Sequence, residues 1–220
     1  MAGAAQSARR TGTAGAILPS RFYARDTEIV ARELLGCVLE CRGPGGITSG
    51  RIVETEAYLG EHDPACHAAA GRTRRTETLY GPPGTFYVYF VYGTHWCCNA
   101  VTRPVGLPSA VLIRALEPVR GTQLMWTRRP LARRETDLTS GPGKLCAALA
   151  VDGRHSGLAL QRGPVTIRAG TDVRDREVVV TPRIGINPSN EAVTWPLRWC
   201  VTASPYLSRR PRLSDRQDRA

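Results

Sequence analysis

Hydrophobic and polar positions alternate most clearly along Gly50–Gly60, where Arg51-Ile52-Val53-Glu54-Thr55-Glu56-Ala57-Tyr58-Leu59 runs between two glycines. A period of two with β-branched residues predicts a strand on which Ile52, Glu54, Glu56 and Tyr58 share one face. Upstream, Ile29, Val30, Glu33 and Leu34 recur at helical spacing, with Asp26 or Thr27 able to cap the start and Gly36 able to end it. Cys37–Cys41 reads as a first strand, turning at Arg42–Gly46 into the second. A β-rich run from Thr85 to Val101, broken at Tyr92-Gly93-Thr94-His95, predicts a hairpin with Tyr92 and His95 near its tip. Ser109–Pro118 is an apolar strand interrupted by Arg114, and Leu145–Ala150 is a short apolar helix entered through Ser140-Gly141-Pro142-Gly143-Lys144. Strands near Val165–Arg168, Val178–Ile186 and Leu197–Ala203 complete the pattern, and no internal repeat is visible. The expected organisation is a single domain over residues 19–207. Met1–Leu18 is too poor in apolar side chains to offset its ordering entropy and reads as a disordered tail. Ser208–Ala220 reads as a charged one.

Length and charge narrow the partners. A chain of 220 residues suffices for one sizeable core, and a formal charge of +11 favours a polyanion, nucleic acid before membrane surface. No apolar run approaches bilayer length and the N-terminus lacks a signal-peptide core, so no membrane association and an intracellular location are expected. The 7 cysteines, odd in number and without paired spacing, fit reduced thiols.

The candidate chemistry sits on the Gly50–Gly60 strand. Two carboxylates on a half-buried face cost several kcal/mol of hydration unless paired or solvated, and such a cost often marks a working site. Arg114 on an apolar strand needs an anion; Glu54 and Glu56 supply it if the strands are neighbours, Glu117 or a solvent edge if not. Glu61-His62-Asp63-Pro64-Ala65-Cys66-His67 mixes metal-ligand types, but no zinc spacing is present, and His67 alone reads as a structural histidine. The glycine-rich entry at Ser140–Lys144 could hold a phosphate but lacks P-loop spacing. The tyrosines of the hairpin could simply pack; interleaved with arginines they also suit stacking on unpaired bases.

Arg51–Gly60, Asp63-Pro64-Ala65-Cys66-His67, Pro83–Gly93, Val111–Pro118 and Ser140–Cys146 together resemble the alkyladenine (3-methyladenine) DNA glycosylase family, over about Leu18–Leu207. The resemblance implies a mixed α/β (α+β) fold built on a curved, largely antiparallel sheet with flanking helices and a hairpin that enters the DNA minor groove, and no metal or redox cofactor. By the same resemblance Glu56 is the general base that activates water against C1′, and Arg114 helps hold that water. Tyr92 fills the gap left by an extruded nucleotide. Tyr58, His67 and Tyr89 stack and hydrogen-bond the flipped base, and Asn99 helps exclude guanine. Where relatives commonly carry Arg-Asn and then Met-Phe, this chain has Arg75-Thr76 and Leu79-Tyr80, and Cys66 stands where a small residue such as serine is usual.

The implied activity is that of a monofunctional base-excision-repair glycosylase. It would flip alkylated or deaminated purines out of double-stranded DNA and hydrolyse the N-glycosidic bond, acting as a monomer in the cytoplasm at the nucleoid, or in the nucleus of a eukaryote. A non-catalytic nucleic-acid-binding module is the alternative class, and a metal-dependent hydrolase, which a chelator would silence, is the third.

Overall fold

The computed structural model describes residues 14–91, 93–187 and 189–211. Its helices are α1 (Ser20–Tyr23), α2 (Thr27–Leu34), α3 (Thr122–Arg128) and α4 (Pro142–Leu149). Its strands are β1 (Val38–Gly43), β2 (Gly46–Tyr58), β3 (Phe86–Val91), β4 (His95–Thr102), β5 (Ser109–Arg120), β6 (Val165–Arg168), β7 (Val178–Thr181) and β8 (Arg198–Val201). All form one antiparallel sheet with the path β3-β4-β5-β2-β1-β6, from which β8 and β7 branch beside β2. The expected mixed α/β single domain is what the chain forms.

Local chemistry explains the elements that frame the site. The Asp26 carboxylate caps α2 by accepting from the N–H groups of Glu28 (2.9 Å) and Ile29 (3.5 Å). Gly36 ends it with φ +81°, where a Cβ would lie 2.1 Å from the Thr171 carbonyl oxygen, so only glycine fits the exit. The hairpin strands alternate as their sequence requires. Phe86, Val88, Cys98 and Ala100 join the main core with α2 and α4 residues Val30, Leu34, Leu145 and Leu149. Tyr87 and Val101 turn to the other face, where they pack with Cys66, Leu79, Tyr80 and Ala110.

β2 is the hub. One of its edges pairs with β1 as far as Arg51 and with β8 from Glu54 onward, while the other stays with β5. Between Thr55↔Ile113 and Glu54↔Ala115 one residue of β2 opposes two of β5, which leaves Arg114 as the extra residue. Between Glu54↔Ala115 and Ile52↔Leu116 the imbalance reverses and Val53 is the extra residue. Two offset bulges restore the register, and bulges re-aim side chains. Consequently the expected face-sharing of Ile52 with Glu54 does not hold. Ile52 packs in the main core, whereas Val53 joins Ala115, Cys200 and Leu207 on the other side.

The tail boundaries also differ from expectation at both ends. Ile17 bridges Arg168, and the N–H groups of Gly15 and Leu18 donate to the carbonyls of Ala169 (2.8 Å) and Ile167 (2.9 Å). Residues 14–18 therefore extend the sheet beside β6, with Leu18 buried. Ser208, assigned by sequence to the charged tail, bonds the buried Glu54 instead, while Arg209 stays exposed and only its carbonyl accepts from Arg198. The remainder of both predicted tails, 1–13 and 212–220, lies outside the described residues.

Candidate active site

On the face opposite the main core a cavity of about 310 Å³ opens between β3, β4, β5 and the loop after β7. Tyr58, His67, Tyr87, Tyr89, Cys97, Asn99, Arg114 and Ile184 line it. The strand period delivers Tyr87 and Tyr89 from β3, Cys97 and Asn99 from β4 and Arg114 from β5 to this one face.

Beneath the cavity lies a fully buried charge cluster. Glu54 and Glu56 have no exposed side-chain surface, and Arg114 and Arg198 keep 8% and 2%. Arg114 donates from Nε to Glu54 Oε1 (3.1 Å) and from Nη1 to Glu56 Oε2 (3.2 Å). Arg198 donates to Glu54 Oε1 at 2.8 Å and, through Nε, to the Thr181 hydroxyl at 2.8 Å. Two carboxylates thus face two guanidiniums, which resolves the hydration cost of burying either sign. Burial disfavours the charged form of Arg114, but Glu56 and Glu54 more than offset this and raise its pKa.

Glu56 accepts three hydrogen bonds. Its Oε2 accepts from the Tyr58 hydroxyl (2.9 Å) and Arg114, its Oε1 from the Ile184 N–H (2.7 Å). A carboxylate offers about four lone-pair sites, so one remains for a water. Burial, and then the neighbouring Glu56 charge, push the Tyr58 phenol well above its usual range, which keeps it protonated and donating.

The cavity wall is aromatic. Tyr87 and Tyr89 stack with ring centroids 5.3 Å apart, and His67 meets Tyr89 edge-on at 4.4 Å. His67 Nδ1 lies 3.0 Å from the Tyr87 hydroxyl. Burial and then Arg75 lower the His67 pKa, so the imidazole is neutral at neutral pH. The Asn99 amide donates to the Tyr87 carbonyl at 3.1 Å, which fixes its orientation.

A second buried pair joins Asp63 to Arg183, which precedes the cavity-lining Ile184 in the loop after β7. Arg183 donates from Nη1 to Asp63 Oδ2 (2.6 Å) and to the Ala57 carbonyl (2.9 Å), and from Nη2 to Asp63 Oδ1 (2.8 Å). Its guanidinium also lies 4.7 Å from the Tyr58 ring centroid. Burial alone would raise the Asp63 pKa, but the bonds from Arg183, Leu59 and Ala65 hold it below 3.8. A depressed carboxyl pKa stabilises the fold above the unfolded value, and that stability is lost as pH falls through the folded value. Asp63→Asn, which leaves Arg183 buried beside a neutral amide, is expected to cost about 3 kcal/mol. Melts from pH 7 to pH 3 check this: the variant should melt lower at pH 7 and lose less of its melting temperature on acidification than wild type.

Of the residues singled out by sequence, Tyr58, His67, Tyr89, Asn99 and Arg114 line the cavity, and Glu56 meets two of them from below. Tyr92 lies outside the described residues. Glu54 and Glu56, not Glu117, supply the anions for Arg114; Glu117 meets Arg51 instead. Cys66 is a buried cavity-wall residue whose thiol pKa burial raises, so it stays neutral. The departures in the loop divide: Thr76 Oγ1 donates to the Gly71 carbonyl and the Tyr80 hydroxyl bonds Glu61 at 2.7 Å, whereas Leu79 lines the cavity. Missed by sequence were Arg183, Ile184, Arg198 and Ser208, all from a last third expected only to complete the fold. An arginine in an apolar strand, the signal that marked Arg114, was also present at Arg198. Among the described residues no group of three or more His, Cys, Asp or Glu is arranged to hold a metal ion, and no helix is long and apolar enough to cross a membrane.

A basic chain with an aromatic cavity that can receive a flat ring, floored by a hydrogen-bonded carboxylate, has the architecture of a hydrolase acting on a ring-bearing substrate. The sequence profile of the Methylpurine-DNA glycosylase (MPG) family matches residues 21–205, and the chain belongs to that family. Relatives each named as a proposed 3-methyladenine DNA glycosylase are similar throughout. The protein from Carboxydothermus hydrogenoformans is 46% identical over 195 residues, covering 88% of this chain and 100% of the relative. The one from Methanocella arvoryzae is 44% identical over 195 residues, covering 88% and 96%. The one from Myxococcus xanthus is 45% identical over 194 residues, covering 88% and 94%.

Proposed function

We propose that the protein is a monofunctional DNA glycosylase that extrudes alkylated or deaminated purines from double-stranded DNA and hydrolyses their N-glycosidic bond, leaving an abasic site. The observation that carries this reading is the buried Glu56 carboxylate, hydrogen-bonded to the lining residues Tyr58, Arg114 and Ile184, beneath a cavity walled by Tyr58, Tyr87, Tyr89 and neutral His67. Enzymes that act on a base take it out of the stack and hold it between aromatic faces. Glu56 is the general base for the attacking water, and Arg114 orients that water and balances charge as attack proceeds. Tyr58, His67 and Tyr89 hold the base. With His67 Nδ1 accepting from the Tyr87 hydroxyl, Nε2 keeps its proton and donates to an acceptor on the purine. Asn99, its amide tied to the Tyr87 carbonyl, shapes the pocket against guanine. Tyr92, the residue that follows β3 in sequence, fills the space the nucleotide vacates. The residues in these roles require no metal ligand. On the same reading the protein works as a monomer, at the nucleoid of the cytoplasm or, in a eukaryote, in the nucleus.

The test is a panel of duplexes carrying one hypoxanthine, 3-methyladenine, 7-methylguanine or ethenoadenine beside an undamaged control. Free base and an alkali-labile site from at least one damaged duplex, and none from the control, is the expected result. Tight binding to the whole panel with no base released would instead indicate a non-catalytic binding module. Binding to the undamaged duplex should rest on arginine–phosphate contacts, so log affinity should fall with log salt at a slope of about −0.9 per contact. Filter binding from low to physiological salt measures it, and a flat line would remove the phosphates from the account.

A further inference from the structure

The residues matched to the family end at position 205, yet three residues later the chain turns back into the charge cluster. Leu207 is buried against Val53, Ala115 and Cys200, and Arg198 Nη1 donates to the Arg209 carbonyl at 3.2 Å, so the backbone is pinned on both sides of Ser208. The Ser208 N–H donates to Glu54 Oε2 at 2.6 Å. Its Oγ lies 2.7 Å from Glu54 Oε1 and 3.2 Å from Arg114 Nη2. The direction of these bonds is forced. A guanidinium only donates and a carboxylate only accepts, so the hydroxyl gives its single proton to Glu54 and receives one from Arg114.

We propose that Ser208 is a positioning residue for the glycosidic hydrolysis, acting through Arg114; the inference rests on the catalytic reading of Glu56 and Arg114 above. Arg114 spreads three nitrogens over three acceptors: Nε to Glu54, Nη1 to Glu56, Nη2 to Ser208. That division holds only while Glu54, the more heavily charged-bonded of the two acids, does not draw the whole guanidinium to itself. The Ser208 hydroxyl prevents this twice over. It occupies Glu54 Oε1 with a neutral donor, and it gives Nη2 an acceptor other than Glu54. Without it, the bulged Arg114 side chain turns toward Glu54 and Nη1 leaves Glu56, so the base and its water lose the donor that orients them. The C-terminal segment is thereby part of the active site without touching the substrate.

Ser208→Ala removes only the hydroxyl and keeps the backbone bond to Glu54. Ser208→Thr restores it. Single-turnover excision of a hypoxanthine duplex is measured over a range of enzyme concentrations, with a thermal melt of each variant. The expected result for Ser208→Ala is a maximal rate about ten-fold lower with an essentially unchanged half-saturating concentration, because a hydrogen bond to a charged group is lost while DNA contacts remain. Ser208→Thr should recover most of the rate. Should Ser208→Ala fail to fold, Ser208→Cys takes its place as a filler with a weak donor, with the same expectation of a slowed maximal rate. A wild-type rate in the hydroxyl-free variant, a defect confined to half-saturation, or no recovery with threonine would overturn the inference. Wild-type protein inactive on every lesion would instead overturn the catalytic reading on which it rests.

Discussion

Glu56→Gln protein should bind a lesion duplex about as well as wild type and release almost no base. Glutamine preserves the size of the side chain but offers one accepting oxygen where the carboxylate offers two, and it cannot take the proton of a water. General-base removal commonly costs about 10²- to 10⁴-fold in rate, or roughly 3 to 5.5 kcal/mol of barrier. The rest of the site has independent anchors. Arg114 stays tied to Glu54 and Ser208, and the aromatic wall is held by Tyr87, Tyr89 and His67. Binding rests on that wall and on phosphates, and loss of a carboxylate beside DNA can only ease it. Rapid-quench single-turnover kinetics and a binding isotherm on the same duplex separate the two effects. A folded variant with near-wild-type excision removes Glu56 from its role.

Glu54→Gln should have the opposite signature, a large loss of stability with a smaller loss of chemistry. Glu54 accepts from Arg114, Arg198 and the Ser208 hydroxyl on one oxygen and from the Ser208 N–H on the other. An amide there turns an NH₂ toward groups that only donate, leaves Arg114 with Glu56 alone and takes from the buried Arg198 its carboxylate partner. Breaking a buried ion pair by removing one partner costs about 3–5 kcal/mol. At about 2–4 °C per kcal/mol for a chain of this size, the melting temperature should drop by roughly 10 °C. The excision rate of the folded fraction should fall by no more than about ten-fold, since Glu56 keeps Tyr58, Ile184 and part of Arg114. A variant that melts like wild type, or that loses more rate than Glu56→Gln, would exchange the roles assigned to the two acids.

How far this could be read without a structure follows from the range of each interaction. The α2 cap at Asp26, the hairpin after Gly84 and the strand carrying both acids are local, set by neighbours within a few residues, and all were legible. So was the pairing of Arg114 with an acid, because a guanidinium in an apolar run must find a charge. The bulges were not. Val53 and Arg114 look like ordinary strand positions, and only the two strands side by side reveal that each holds an extra residue which turns the cluster toward the cavity. Contacts across more than 100 residues were equally hidden: Ile184 to Glu56, Arg183 to Asp63, Ser208 to Glu54. Composition even misled at Ser208, where a charged stretch reads as tail although its first residue completes a buried network.

The most direct measurement of the central claim is the product mass of a single reaction, wild-type protein with a hypoxanthine duplex in excess EDTA. The account predicts free hypoxanthine and a DNA strand lighter by that base, replaced at C1′ by the oxygen of water, with its phosphodiester backbone intact. A strand cut at the lesion without heat or alkali, or excision that disappears with the chelator, would contradict it, as would duplexes left unchanged for hypoxanthine and for each of the three alkylated or etheno purines.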